Sequence, residues 1–239
     1  MKSLLQTARK RLLQMHYEAG AGHIGGNLSC LDALLTLHHR LMRPQDQFIL
    51  SKGHAAGALY ITHWTKGWLS DDDLKTFHKP GGLLGHPEAG EHVPFATGSL
   101  GHGLSLAVGL ALGYKLWDVD RDVYVLMGDG EWQEGSCWEA LNFLSNNPLP
   151  NLKILIDMNG FQGFGSVPTG LREKLRNFAT IQSVDGHDPD KIVYALSLRP
   201  QIVCLNTTKG KGVSFLENRM DSHYQYLNKE TYEKARAEQ

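Results

Sequence analysis

Cysteine is scarce in this sequence: Cys30, Cys137 and Cys204 are the whole set, far apart and without a CxxC pair. So odd and sparse a set excludes a disulfide framework or a zinc ribbon and fits a reducing compartment, and the expected location is the cytoplasm. Charge of one sign is lacking too. Lys plus Arg number 24 and Asp plus Glu 25, leaving a formal net charge of -1. That balance exerts no long-range pull on nucleic acid or on an anionic membrane, so neither is an expected partner. No apolar run reaches membrane-spanning length. The longest, Leu100 to Leu116, contains His102, Ser105 and Lys115 among several Gly and Ala, and reads as a buried helix. Internal repeats and low-complexity linkers are absent, so 1–239 is taken as one domain near the upper size of a single core.

What is present is ordinary in bulk, with 41% hydrophobic and 21% charged residues, as in soluble globular chains. Glycine (26) and histidine (12) stand out. Glycine at that level suggests tight turns and close approach of backbone to a ligand. Met1 to Tyr17 holds Lys2, Arg9, Lys10 and Arg11 with no acid, and Leu4, Leu5, Ala8, Leu12 and Met15 follow helical spacing. A transit peptide can look like this, but a first helix docked on a domain fits better, because the pattern runs straight into the Gly20–Gly26 loop. A helix follows from Leu28 to Leu41, then the apolar run Phe48–Ser51, a helix from Ala55 to Thr65, and an N-cap with an acidic first turn at Ser70–Asp73. The long irregular stretch Lys79–Gly98 has the length of a functional loop. Four short apolar runs rich in β-branched residues read as strands: Val123–Met127, Lys153–Ile156, Ile181–Val184 and Ile202–Leu205. Helical segments lie between them, at Cys137–Ser145, within Gly160–Phe178 and at Asp188–Leu198. This alternation implies right-handed βαβ units, hence a three-layer α/β/α fold with a mainly parallel sheet. Ligands of such folds sit beyond the carboxyl ends of the strands.

At those ends stand Gly128-Asp-Gly130, directly after one strand, and Asn159, within three residues of the next. On adjacent parallel strands, Asp129 and Asn159 would emerge together and offer two oxygens to a hard cation. Magnesium takes about six oxygens and usually shares them with a substrate's phosphates. Taken alone, Gly-Asp-Gly reads better as a plain turn and Asn159 as a strand-end cap. Their joint placement favours the cation.

Gly128-Asp-Gly130 with 28 residues before Asn159 resembles the thiamine diphosphate signature, and its surroundings resemble transketolase. The segment Asp129-Gly-Glu-Trp-Gln-Glu-Gly-Ser-Cys-Trp-Glu-Ala140 is similar to that family's GDG region. Phe48–Ala56 (with SKGHAA), Gly85-His-Pro-Glu88, Thr97–Gly101, Asp185-Gly-His-Asp188 and Thr208–Gly212 (TKGKG) match further family segments in order. The resemblance implies the thiamine diphosphate-binding fold, specifically its diphosphate-binding domain. It implies Asp129 and Asn159 as Mg²⁺ ligands, joined by the backbone carbonyl of Phe161, with Ca²⁺ or Mn²⁺ able to substitute. It also implies that His54, Gly130 and Lys209 contact the cofactor and that Gly98, Ser99 and Leu100 approach its aminopyrimidine. Lys209 also has a plainer reading as a solvated turn lysine, and His223 as a surface residue.

Five histidines follow a glycine: His23, His54, His86, His102 and His187. A preceding glycine permits a turn that aims the imidazole into a cavity. No HxxxH or HxH spacing supports zinc. The alternative is a channel of neutral-to-cationic imidazoles that bind sugar hydroxyls and move protons near pH 7. The resemblance implies His23, His54, His86 and His223 along that channel, with His23, His86 and His223 catalytic. His38, His39 and His187 read as structural, and His102 as non-catalytic. The sequence departs from the family at Ile24 and Ser99, where Pro is frequent, and at Asp157-Met-Asn159, with one Asn where many relatives have two.

Thiamine chemistry needs a carboxylate against the pyrimidine ring, which the family carries on a separate pyrimidine-binding domain. The expectation is therefore a split transketolase, this chain being its N-terminal subunit. The C-terminal subunit would carry the remainder, in a heterotetramer with two copies of each chain, acting on sugars or sugar phosphates. A 2-oxo acid dehydrogenase α subunit is an alternative, against which SKGHAA, GHPE and TKGKG argue. So is a non-catalytic regulatory subunit that retains the cofactor.

Overall fold

A computed structural model describes all 239 residues. The strands are β1 (Gln47–Leu50), β2 (Val123–Gly128), β3 (Leu152–Met158), β4 (Phe161–Gln162), β5 (Gly165–Ser166), β6 (Ile181–Asp185) and β7 (Ile202–Asn206). Five of them form one parallel sheet in the order β1-β2-β3-β7-β6, while β4 and β5 make a small antiparallel hairpin. Residue alternation divides each central strand between two cores. Tyr124 and Leu126 face one side with Leu155, Val203 and Leu205. Val123, Val125 and Met127 face the other with Ile154, Ile156 and Cys204. Burial on both faces explains why these strands read as continuous apolar runs, and each fully buried side chain of this kind contributes roughly 1.5–3 kcal/mol.

The helices are α1 (Lys2–Ala19), α2 (Ile24–Thr36), α3 (Ala56–Thr65), α4 (Asp71–Leu74), α5 (His102–Leu116), α6 (Gly135–Asn146), α7 (Leu171–Arg176), α8 (Pro189–Ser197) and α9 (Lys229–Ala237). Residues of α1, α2, α3, α8 and α9 join the first core, and those of α5, α6 and α7 the second. The expected three layers are present. α1 does dock, burying Ala8, Leu12, Leu13 and Met15. Ser70 makes its capping box with Asp73. None of the helices is long and apolar enough to cross a membrane.

Two expectations need correction. α2 begins at Ile24, inside the stretch read as a loop, and ends at Thr36, with Leu37–Leu41 wound as a π-helical turn. One of its two glycines is demanded by packing: a Cβ on Gly25 would lie 2.2 Å from Ser222 Oγ. Nor is the Leu100–Leu116 segment buried throughout. α5 buries Gly103, Leu104, Ala107, Val108 and Ala111 on the sheet, while Leu100 is exposed and Leu116 is 73% exposed. Leu106, Leu110, Leu112 and Tyr114 flank that stripe, half-buried against the same core.

Candidate active site

The sheet order brings four adjacent carboxyl ends to one edge of the molecule. Lys52 follows β1, Asp129 follows β2, Asn159 follows β3 and Lys209 follows β7. Together with the start of α2 they enclose a cleft of about 360 Å³. His23, His54, His86, Gly98, Leu100, Asp129, Gly130, Asn159, Phe161, Lys209 and His223 all line it. Ser99 does not: it faces a shallow neighbouring groove with Ala96, Thr97 and His102.

Asp129 and Asn159 do emerge together, because Gly128 pairs with Asp157 across the parallel strands. Asp129 Oδ2 accepts from the Gly160 amide at 2.7 Å and Oδ1 from the Gly130 amide at 3.0 Å. Asn159 Oδ1 accepts from the Phe161 amide at 3.0 Å. The Phe161 carbonyl faces Gly130, 3.7 Å from where a Cβ would stand. That Cβ would also press to 2.9 Å from Gln162 Cβ, so only glycine leaves this floor open. Asp129 is 2% exposed, and burial, with the negative charge of Asp157 behind it, pushes its pKa up to about 7. A buried carboxylate with no cationic contact partner suits a cation. Since no cluster of three His, Cys, Asp or Glu side chains surrounds it, a cation here would rely on one carboxylate, the amide and carbonyl oxygens and a diphosphate, which is the donor set of magnesium.

Beneath this floor lies a feature that the sequence did not disclose. Lys52 and Asp157, 1% and 0% exposed at their side chains, form a buried ion pair. Burial alone would depress the Lys52 ammonium, but Asp157 holds it above the ordinary lysine range. Burial opposes the Asp157 charge, yet Lys52, Ser29 and Thr207 hold its pKa below normal. Glu131 is a second buried carboxylate: Ser51 Oγ donates to it at 2.6 Å, the Gly128 amide at 2.7 Å and the Gly101 amide at 3.0 Å. It ties the ends of β1 and β2 to the start of α5, and burial raises its pKa. Pairing across strands so distant in sequence left no local signal for either group.

The wall above the floor is made of imidazoles. Ring centroids of His23 and His223 lie 4.9 Å apart, His23 and His54 5.5 Å, and His54 and His223 5.4 Å. His86 completes the set at 6.5 Å from His23. His23 has a left-handed backbone (φ 63°), an uncommon conformation for a non-glycine residue that persists only where its surroundings hold it. Here the His23 amide donates to the His223 carbonyl at 2.9 Å, and Asn27 Nδ2 donates to the His23 carbonyl at 2.8 Å. The preceding glycines mostly serve space rather than a turn, since of the five only Gly101 has positive φ. A Cβ on Gly53 would meet the Thr97 backbone at 2.9 Å, and one on Gly85 the His78 ring at 2.7 Å.

The plainer readings of Lys209 and His223 do not hold. Lys209 is 2% exposed, with Nζ 3.2 Å from His223 Nδ1. Donation from the ammonium leaves the His223 proton on Nε2. Burial and Lys52 lower Lys209 to about 8. Burial and Lys209 lower His223 to about 4, burial and His86 lower His23, and burial and Lys52 lower His54 strongly. These three imidazoles are therefore neutral near pH 7, which narrows the neutral-to-cationic expectation. Tyr224 and the exposed Phe164 at the hairpin tip, neither expected, complete the mouth. His187 is structural: Nδ1 lies 2.8 Å from Asp32, and Nε2 accepts from the Thr208 amide at 2.8 Å.

This architecture is that of an α/β protein with a polar cleft at the carboxyl ends of a parallel sheet, its floor carrying carboxylate, amide and ammonium groups and its wall neutral imidazoles. The chain belongs to the transketolase N-terminal family, matching over residues 2–239 the family described as transketolase, thiamine diphosphate binding domain. It is 37% identical over 252 residues to a subunit of the apulose-4-phosphate transketolase of Phocaeicola vulgatus, covering 95% of this chain and 89% of that one. The 6-deoxy-6-sulfo-D-fructose transketolase subunit SqwG of a Clostridium species is also 37% identical, with 96% and 92% covered. Human transketolase is 32% identical, the match spanning 96% of this chain and 40% of that protein. Among solved structures, transketolase from Leishmania mexicana superposes with a TM-score of 0.88 at 27% identity, over 98% of this chain and 40% of that one.

Proposed function

We propose that this chain is the diphosphate-holding, N-terminal subunit of a split transketolase. It would transfer a two-carbon ketol unit from a ketose phosphate or sulfosugar donor to an aldose. The observation that carries this reading is the meeting of Asp129, Asn159 and Lys209 at adjacent strand ends beneath a wall of neutral imidazoles. Relatives of matching length are named as transketolase subunits, which supports a partner chain that bears the pyrimidine-binding domain, in a heterotetramer with two copies of each. A cytoplasmic location suits its three unpaired, buried cysteines.

Asp129, Asn159 and the Phe161 carbonyl would hold Mg²⁺, or Ca²⁺ or Mn²⁺ in its place, and through it the diphosphate. Lys209 adds a positive charge at the same end of the cleft, and Gly130, His54, Gly98 and Leu100 shape the space for the rest of the cofactor. Thiamine diphosphate, when bound, supplies the carbanion that accepts and releases the ketol unit. His23, His86 and His223 bind the sugar's oxygens and shift protons on them. The Nε2 proton of His223, held there by Lys209, can be donated and recovered. Crowded around one space, the rings also exclude water from the reacting carbonyl.

The experiment is an assay of the purified chain with thiamine diphosphate and Mg²⁺, alone and with a second chain that carries the pyrimidine-binding domain. The expected result is no ketol transfer by the chain alone and transfer when the partner is added. Turnover by the chain alone overturns the split assignment. Decarboxylation of a 2-oxo acid without ketol transfer overturns the activity.

A further inference from the structure

Asp157 has no place in the ketol-transfer chemistry, yet more polar groups converge on it than on Asp129 or Asn159. Its side chain is fully buried on β3, in register with Gly128. Oδ2 accepts from Ser29 Oγ of α2 at 2.6 Å, from Lys52 Nζ after β1 and from Asn159 Nδ2 at 3.1 Å. Oδ1 accepts from Thr207 Oγ1 after β7. Lys52 Nζ is held in turn by the Gly26 carbonyl at 3.1 Å.

We propose that Asp157, with Lys52 as its counter-ion, is a positioning residue that fixes which end of the Asn159 amide faces the cation. An asparagine amide can present its oxygen or its NH₂ by half a turn about its last torsion, and only the oxygen can bind a cation. A carboxylate is acceptor-only, so against Asp157 the amide must place its NH₂ inward and its oxygen outward. Ser29 Oγ, 3.4 Å from Asn159 Nδ2, stands on the same inward side. The ion pair keeps that carboxylate in place, because a buried charge without its partner would be strongly destabilising. Lys52, from one side of the sheet centre, thereby orders a ligand that sits two strands away. The inference rests on the reading of Asp129 and Asn159 as cation ligands.

The test exchanges donor and acceptor. Mn²⁺ affinity is measured on the purified chain by electron paramagnetic resonance in the presence of inorganic diphosphate. Electrostatics alone favours Asn159→Asp, because it adds a negative charge at the cation. The positioning role predicts the opposite: two carboxylates would face each other, and Mn²⁺ affinity falls by about tenfold. The double variant Asp157→Asn, Asn159→Asp restores a single NH₂-to-carboxylate contact and the wild-type net charge, and it keeps a carboxylate beside Lys52, because Lys52 Nζ and Asn159 Nδ2 meet on the same Asp157 oxygen. It is expected to return to within about threefold of wild type. Affinity in Asn159→Asp equal to or above wild type overturns the proposal, as does a folded double variant that binds no better than the single one. Should Asn159→Asp fail to fold, the charge-balanced double variant decides alone: recovery supports the proposal and lost binding overturns it. Asp129→Ala is the control for the underlying reading, which fails separately if that variant binds Mn²⁺ like wild type.

Discussion

The floor and the wall of the cleft both remove ionisable groups from water, and they end in opposite states. On the floor, Lys52 and Asp157 are fully buried and both charged, because each holds the other and further donors complete the carboxylate. On the wall, His23, His54 and His223 face one another, His86, Tyr224 and the two lysines, and burial leaves them neutral. Pairing, not depth, decides whether a buried group keeps its charge. The division suits two tasks. Under the proposed function, a charged floor would hold a diphosphate and its cation, while a neutral wall would exchange hydrogen bonds and protons with sugar oxygens without attracting the diphosphate itself.

If wall and floor are separate in this way, their variants separate as well. The largest effect is expected on the wall. Replacing His23, His86 or His223 by Ala in the assembled enzyme should lower kcat/KM for ketol transfer by ~10², since groups that act on the reacting oxygens contribute in the transition state. Cofactor affinity should stay near wild type. Steady-state kinetics and cofactor titration on the same preparations check both halves, and a His223→Ala enzyme with full rates would remove that residue from the machinery.

On the floor the pattern reverses. Asp129→Ala removes the charged ligand from a site whose cation offsets the diphosphate, and cofactor affinity should fall at least about tenfold, roughly 1.4 kcal/mol. The fold should persist, because both hydrogen bonds to that carboxylate come from turns at Gly130 and Gly160 rather than from core strands. Calorimetric titration of a folded Asp129→Ala complex with unchanged affinity would erase the distinction.

The two regions were also unequally legible in the sequence. The strands of the parallel sheet could be read because each is a short, mostly apolar run, and the ends of β2 and β3 carry the GDG and Asn signals directly, whereas the β4–β5 hairpin, with no such run, left no signal. The start of α2 could not, because Gly25 and Gly26 look like loop residues until Ser222 is seen pressing on Gly25. His23, His54 and His86 stand out through their glycines, but for an incomplete reason: the glycines mostly make room, and His23 itself takes the strained backbone, while His223, which follows Ser222, is placed by the family resemblance alone. The Lys52–Asp157 pair was invisible because its partners are 105 residues apart and meet only once β1, β2 and β3 lie side by side. Neutrality of the wall was equally hidden, being a property of which groups crowd together rather than of any one of them.

Lys209 sits where floor meets wall, and it should show the smallest and most pH-sensitive effect. Burial and the nearby Lys52 ammonium lower it to about 8, with Asp157 and Asp129 pulling the other way. Its ammonium is thus present below about pH 8 and lost as pH rises through that value, well before an ordinary lysine near 10.4 would titrate. Only the charged form attracts a diphosphate. Cofactor affinity should therefore decline above about pH 8, by at most about tenfold per unit, apart from a separate loss below about pH 7 in both proteins as Asp129 takes up its proton. In Lys209→Met the decline should vanish, with affinity at about pH 7 lower by a factor of about three to ten, the weight of one partly screened charge. His223 would feel the same change, since its Nδ1 loses the donor that kept its proton on Nε2. The variant should then lower kcat modestly beside its effect on cofactor binding, which no variant confined to the floor or to the wall is expected to do. Affinity titrations on both proteins, from about pH 6 to 9.5, check this. An identical decline in wild type and Lys209→Met would assign the titration to another group and detach Lys209 from the diphosphate.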